Sequence, residues 1–221
     1  MQHLHWKAVL FDFDGVICQT EVYRLDYREK QLKRFGIPVN RKALYAMAGT
    51  SPAEKRPRGA RLDALFGEYE AYRQHREELI SFPQLEYHYD QLMTPGLPEV
   101  LQMLQDAGLR LAVASNSSTE LLETALAECG IRDFFQLVVS GWDMEHKKPD
   151  PYIYQWSMEQ LGVCPEECAV VEDSQVGIQA GKAAGATVFA LRDRDGLLDQ
   201  SGYDGRMMRI TELPRLLGLA E

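Results

Sequence analysis

The stretch KAVLFDFDG, residues 7–15, decides the fold. A short, nearly continuous apolar run ending in acidic residues and a glycine reads as a buried parallel strand that delivers polar groups at its C-terminal end. Similar runs recur at LRLAVAS (109–115), FQLVVSG (135–141), CAVVED (168–173) and TVFAL (187–191). Between them lie the helical patterns LPEVLQMLQDAG, TELLETALAECG, PYIYQWSMEQLG and SQVGIQAGKAAG, which stop at Gly108, Gly130, Gly162 and Gly185. Strands alternating with glycine-terminated helices predict βαβ units, and so an α/β fold with a doubly wound, Rossmann-like parallel sheet.

Between the first strand and Leu109 the alternation disappears. Residues 21–92 read instead as a set of helices, VYRLDYREKQLKRFG, RKALYAMAG and EYEAYRQHREELISF. The expected organisation is a core of residues 1–20 and 93–221 interrupted by a helical cap, 21–92, with the proline-rich TPGLP (94–98) marking the return to the core. An insertion placed directly after the first strand would lie over the carboxyl ends of the strands, where ligands bind in open α/β sheets. The chain shows neither an internal repeat nor a low-complexity segment.

Composition narrows the function classes. The 221 residues are 45% hydrophobic, enough for one large domain or a core with a modest insertion. A net charge of −9 repels polyanions and argues against generic nucleic-acid binding. No run approaches the roughly 20 apolar residues of a membrane span, and the first residues lack a signal-peptide pattern. A soluble, cytoplasmic protein is expected. Cys18, Cys129, Cys164 and Cys168 lack metal-type spacing and are expected as reduced thiols; Cys164 and Cys168 have no CxxC or nearby histidine to complete a zinc site.

The chemistry gathers at the predicted strand ends. Asp12 and Asp14 lie two apart on a strand, and Gly15 lets the chain turn at once, so both carboxylates can face one pocket. The second long strand ends in Ser115-Asn116, the segment after the third carries Lys148-Pro149-Asp150-Pro151, and the fourth ends in Glu172-Asp173-Ser174. Each has a plainer reading: Ser115-Asn116 and Glu172-Asp173-Ser174 as helix caps, Lys148 as a surface lysine in a proline turn. Their coincidence on one rim, in this order, favours a reaction site. Gly177, Gly181 and Gly185 fall at spacing four and read as helix packing rather than a phosphate loop. His75, His88 and His146 show no triad partners and read as surface or packing residues.

With FDFDGVICQTE, VASNSS, HKKPDP and VVEDSQVGIQAGKAAG in this order, the chain resembles the haloacid dehalogenase-like hydrolase superfamily, in its capped phosphatase and β-phosphoglucomutase-like branch. The match runs from about residue 7 to 191. The resemblance implies that Asp12 attacks phosphorus to form an aspartyl-phosphate, which water then hydrolyses. Asp14 would be acid in the first step and base in the second. Ser115, with backbone donors near Asn116, would hold phosphoryl oxygens, and Lys148 would neutralise Asp12 and the phosphoryl group together. Asp173, with Glu172 directly or through water, would complete a Mg²⁺ site with an Asp12 oxygen and the Asp14 main-chain carbonyl. Without the metal a phosphate dianion would meet a strongly anionic site, each repulsion at about 4 Å being worth on the order of 4 kcal/mol.

The expected activity is Mg²⁺-dependent hydrolysis of a small phosphomonoester, a sugar phosphate among the candidates, with a sugar phosphomutase as the alternative. The expected partner is a small phosphorylated metabolite, neither nucleic acid nor membrane, and the expected state is a monomer or weak homo-oligomer. In the cap, Lys55, Arg56, Arg58 and Arg61 form either a solvated helix face or a site for a second anionic group, with Lys55 and Arg56 the favoured contacts. Mutase-like members usually carry a histidine on the early cap helix and an arginine after a Gly-x-Ser turn; Arg24 and Pro52 stand there instead, which weakens the mutase reading. Dehalogenase relatives generally lack the second aspartate. A receiver-type module would place its nucleophile on a middle strand and carry no cap. A catalytically silent binder would have lost Asp12, Asp14 or Lys148.

Overall fold

The computed structural model describes residues 5–45, 58–80, 85–142 and 144–220. Six strands form one parallel sheet: β1 (Ala8–Phe11), β2 (Arg110–Ser115), β3 (Leu137–Ser140), β4 (Cys168–Glu172), β5 (Thr187–Leu191) and β6 (Gly205–Met207), in the order β3-β2-β1-β4-β5-β6. The doubly wound sheet is as expected, with one strand more than the apolar runs announced. β6 escapes the pattern because GRM has no apolar run. It pairs with β5 alone, where Gly205 leaves room for the ring of Phe189.

β1 sits between β2 and β4, with Phe11 level with both Val113 and Val171. All four of its residues are fully buried, which is why it reads as a continuous apolar run. The chain winds outward from β1 through β2 to β3, then crosses back to lay β4 on the other side of β1. That reversal is the topological switch point of an open α/β sheet, where strand ends splay and a ligand crevice forms.

Contacts divide the chain into two compact units, one of residues 1–19 with 88–221 and one of residues 20–87. The second contains α1 (Thr20–Arg34), α2 (Arg41–Tyr45), α3 (Arg58–Phe66), α4 (Glu70–Gln74) and α5 (Arg76–Ile80). The segment read as one helix, EYEAYRQHREELISF, breaks at His75, whose backbone leaves helical geometry (φ −111°) while its ring stacks on Phe35 at 3.9 Å. Residues 88–92 group with the sheet unit. There Tyr89 opens α6 (Tyr89–Leu92), and its N–H donates to the Glu128 carboxylate at 2.9 Å.

The remaining helices are α7 (Leu97–Asp106), α8 (Thr119–Glu128), α9 (Tyr152–Leu161), α10 (Gln175–Ala183) and α11 (Leu213–Leu216). The four glycines read as helix stops all adopt positive φ, between 63° and 85°, the left-handed conformation that ends a helix without a Cβ penalty. Leu10, Ala112, Val170 and Val188 pack with Ile153, Tyr154 and Ile178 in one buried cluster. Among the described residues no helix is long and apolar enough to cross a membrane.

Candidate active site

Asp12 is the first residue past β1. Its N–H still donates to Val171 O at 3.0 Å, so the strand ladder with β4 fixes its backbone. The chain then turns sharply: the Ile17 and Cys18 N–H groups both donate to Phe13 O, and Gly15 takes φ 85°. Gly15 is required twice over. Beyond its φ, a Cβ there would lie 1.9 Å from Asp173 Oδ2, so the bare backbone lets the Asp173 carboxylate come up against the turn that carries Asp14.

Lys148 reaches this point from the loop before α9 and is 3% exposed. Its ammonium has three N–H donors, and three acceptors surround it: Asp12 Oδ1 at 2.6 Å, Glu172 Oε1 at 2.6 Å and Ala114 O at 2.8 Å. Burial opposes its charge, but Asp12 and Glu172 together raise its pKa above the ordinary lysine value. Lys148 is therefore a buried cation between two carboxylates, and the surface-lysine reading is set aside.

Glu172, at the end of β4, is fully buried. Its Oε1 accepts from Lys148 and from the Tyr154 hydroxyl at 2.6 Å, and its Oε2 accepts from Asp173 N, Ser174 N and Ser174 Oγ. Five donors occupy a carboxylate that offers about four lone-pair sites. Ser174 also caps α10 through the Gly177 N–H at 3.1 Å, so the capping reading of this segment holds alongside the site reading. A Cβ on Gly177 would lie 1.8 Å from Glu172 Oε1. Gly177 therefore lets α10 lie close against the Glu172 carboxylate. Gly181, close to Val188 and Val170, serves packing.

The carboxylates of Asp12, Glu172 and Asp173 are all buried, with one oxygen of each within 4.8 Å of the others. Gln200 Nε2 donates to Asp173 O at 2.5 Å and Leu191 O at 2.8 Å, holding the loop past β4. This all-oxygen, anionic donor set suits a hard divalent cation. Burial pushes the Asp12 carboxyl up to about 8; Lys148 pulls against the rise, and the charges of Glu172 and Asp14 add to it.

Asp14 points into a different set of partners. Its Oδ2 accepts from Ser117 Oγ at 2.7 Å. Ser117 is in turn held at both backbone ends, its N–H donating to Ser115 Oγ at 3.2 Å and its carbonyl accepting from Ser140 Oγ at 2.7 Å. Ser115 ends β2 level with Ser140 of β3. Asn116 Oδ1 is buried without a donor on it. The N-cap of α8 is Ser118, not Ser115 or Asn116.

Asp12, Lys148, Glu172 and Asp173 thus meet at the ends of β1 and β4, with Asp14, Ser115 and Asn116 on the β1–β2 side. Lys55 and Arg56 lie outside the described residues. Tyr154 and Ser117 are contacts that sequence reading missed. Ser117 was hidden in a run of polar residues read for its neighbours, and Tyr154 in an apolar helix, where a tyrosine on the buried face was the available signal.

Known proteins resemble the chain over most of its length. The chain is 28% identical over 200 residues to a phosphorylated carbohydrates phosphatase of Thermotoga maritima, covering 87% of this chain and 90% of that one. It is 29% identical over 189 residues to the β-phosphoglucomutase of Bacillus subtilis, covering 81% and 80%. The crystal structure of a HAD family hydrolase from Deinococcus radiodurans, with bound phosphate and sodium, superposes with a TM-score of 0.72 at 26% identity over 98% of each chain. The family profile for haloacid dehalogenase-like hydrolases matches residues 9–191, from β1 to the end of β5, and the chain belongs to that family, as a phosphoric monoester hydrolase of the branch with a helical cap after the first strand.

Proposed function

We propose that the chain is a Mg²⁺-dependent phosphatase that hydrolyses a small phosphomonoester, with sugar phosphates the favoured class, through a phosphoaspartyl intermediate on Asp12. One observation carries the reading: the buried Lys148 ammonium sits 2.6 Å from Asp12 Oδ1, beside the acidic group of Asp12, Glu172 and Asp173. A lysine that clamps one oxygen of a strand-end aspartate orients the other for attack, and its charge stabilises the phosphoryl group that arrives there.

In the first step an Asp12 oxygen attacks phosphorus in line while the ester P–O bond breaks, and Asp14 gives its proton to the departing alkoxide. In the second, water attacks the phosphoaspartate, Asp14 takes the proton, and the P–O bond to Asp12 breaks to release phosphate. Ser117 suits both steps because a hydroxyl can donate to an ionised Asp14 and accept from a protonated one. Ser115 and the Asn116 backbone would cradle phosphoryl oxygens at the end of β2. Asp12, Asp173 and the Asp14 main-chain carbonyl would hold Mg²⁺, with Glu172, whose oxygens accept five hydrogen bonds, adding its charge to the same acidic group or reaching the ion through water. When bound, the ion supplies positive charge that keeps Asp12 ionised at neutral pH and offsets phosphate repulsion.

Relatives named for phosphorylated carbohydrates and for a phosphoglucomutase support the sugar-phosphate class. The second also keeps a mutase reading in play, in which a sugar hydroxyl replaces water as the acceptor. A phosphomonoester panel run with Mg²⁺ and with excess EDTA separates these. Turnover that requires Mg²⁺ supports the phosphatase. Isomerisation of a sugar 1-phosphate that needs a bisphosphate activator, without panel hydrolysis, would replace it with the mutase.

A further inference from the structure

Lys148 faces a conflict that the steps above leave unresolved. Its three N–H donors have three protein acceptors, Asp12 Oδ1, Ala114 O and Glu172 Oε1. To meet a phosphoryl oxygen it must withdraw a hydrogen bond from one of them. Asp12 needs it for orientation, and Ala114 O lies within β2. Glu172 remains, but a fully buried carboxylate oxygen cannot be stripped of its donor cheaply.

The Tyr154 hydroxyl donates to that same Oε1 at 2.6 Å, and its ring face lies 4.7 Å from Lys148 Nζ. Tyr154 is itself fully buried, in the first turn of α9, six residues after Lys148. Resting on the phosphatase reading, we infer that Tyr154 is a positioning residue that lets Lys148 move one N–H from Glu172 to the phosphoryl group. The phenol keeps Glu172 Oε1 satisfied after the lysine lets go. The ring attracts the ammonium and keeps it beside Asp12. Glu172 then acts as a fixed counter-charge rather than a competitor for Lys148.

Tyr154→Phe isolates the hydroxyl while keeping the ring. In Mg²⁺-loaded protein, calorimetric affinity for inorganic phosphate is expected to fall about tenfold, the scale of one hydrogen bond to a charged group, with Mg²⁺ affinity within about twofold of wild type. The hydroxyl acts only through the Glu172 oxygen that accepts from it, so in a Glu172→Ala background, which removes that acceptor, the same change should have little further effect on phosphate affinity. Unchanged phosphate affinity in Tyr154→Phe would overturn the inference, as would an equal loss in the Glu172→Ala background or a parallel loss of Mg²⁺ affinity, the last two marking a merely structural hydroxyl. Wild-type protein that neither binds phosphate nor hydrolyses any phosphomonoester would instead sink the phosphatase reading itself.

Discussion

The ion pairs at the end of β1 and those compared with them in the helical insertion are held in opposite ways. At β1 a lysine and two carboxylates are buried, and every donor of the lysine has a partner at 2.6–2.8 Å. In the insertion the ion pairs lie nearer water: Arg41 pairs with Asp26 and Glu29, Arg76 with Asp63 and Arg73 with Glu70, with side chains 19–68% exposed. Buried pairs break at high cost because the remaining partner has no water to turn to, whereas exposed pairs contribute little and are easily replaced. One region is thus constrained to a single chemistry. The other holds its charges in pairs that a single substitution can remove at little cost.

That contrast can be broken most forcefully at Asp12. Asp12→Asn removes the nucleophile, and phosphatase activity is expected to fall about 10⁴-fold or more in steady-state assays; retention of a tenth of the activity would end the covalent account. Gly177→Ala is next. Its methyl group would occupy the space of the Glu172 carboxylate, so Glu172 must leave Lys148, and a loss of about 10²-fold in kcat is expected. The same change at Gly181 meets Val188 and Val170 rather than a charge, and should lower Tm more than it lowers kcat.

A pH experiment sharpens the contrast from the stability side. Asp12 titrates at about 8 in the folded protein against 3.8 for an ordinary aspartate, so the metal-free fold holds a proton that the unfolded chain releases. Its contribution is fully present below about pH 4 and is lost as pH rises toward 8. Calorimetry of EDTA-treated protein should therefore show Asp12→Asn gaining stability over wild type across that window and levelling off above it. Parallel curves would contradict a buried, proton-holding Asp12. The smallest effect belongs to the insertion: Arg41→Gln should cost about 1 kcal/mol or less in urea unfolding.

The core of the fold was legible because its strands are buried on both faces, and such strands write themselves as apolar runs. β6 was not, since a three-residue edge strand needs no such run. The break at His75 was hidden because helix periodicity continues through it, and the ring it stacks on, Phe35, lies 40 residues earlier in the chain. At the site, residue types were readable and hydrogen-bond assignments were not. Nothing in VVEDS says that Glu172 is saturated while Asp173 faces the Gly15 turn, or that a tyrosine in the preceding βα unit reaches the same oxygen as Lys148. Those facts arise from which strands become neighbours.

The central claim is that phosphate passes through Asp12. Acid-quenching the enzyme during turnover of a phosphomonoester with Mg²⁺, followed by peptide mass spectrometry, tests it directly. The account predicts a phosphoryl group on the peptide carrying Asp12 in wild type and none in Asp12→Asn; a phosphoryl group on another residue, or turnover by Asp12→Asn at the wild-type rate, would contradict it.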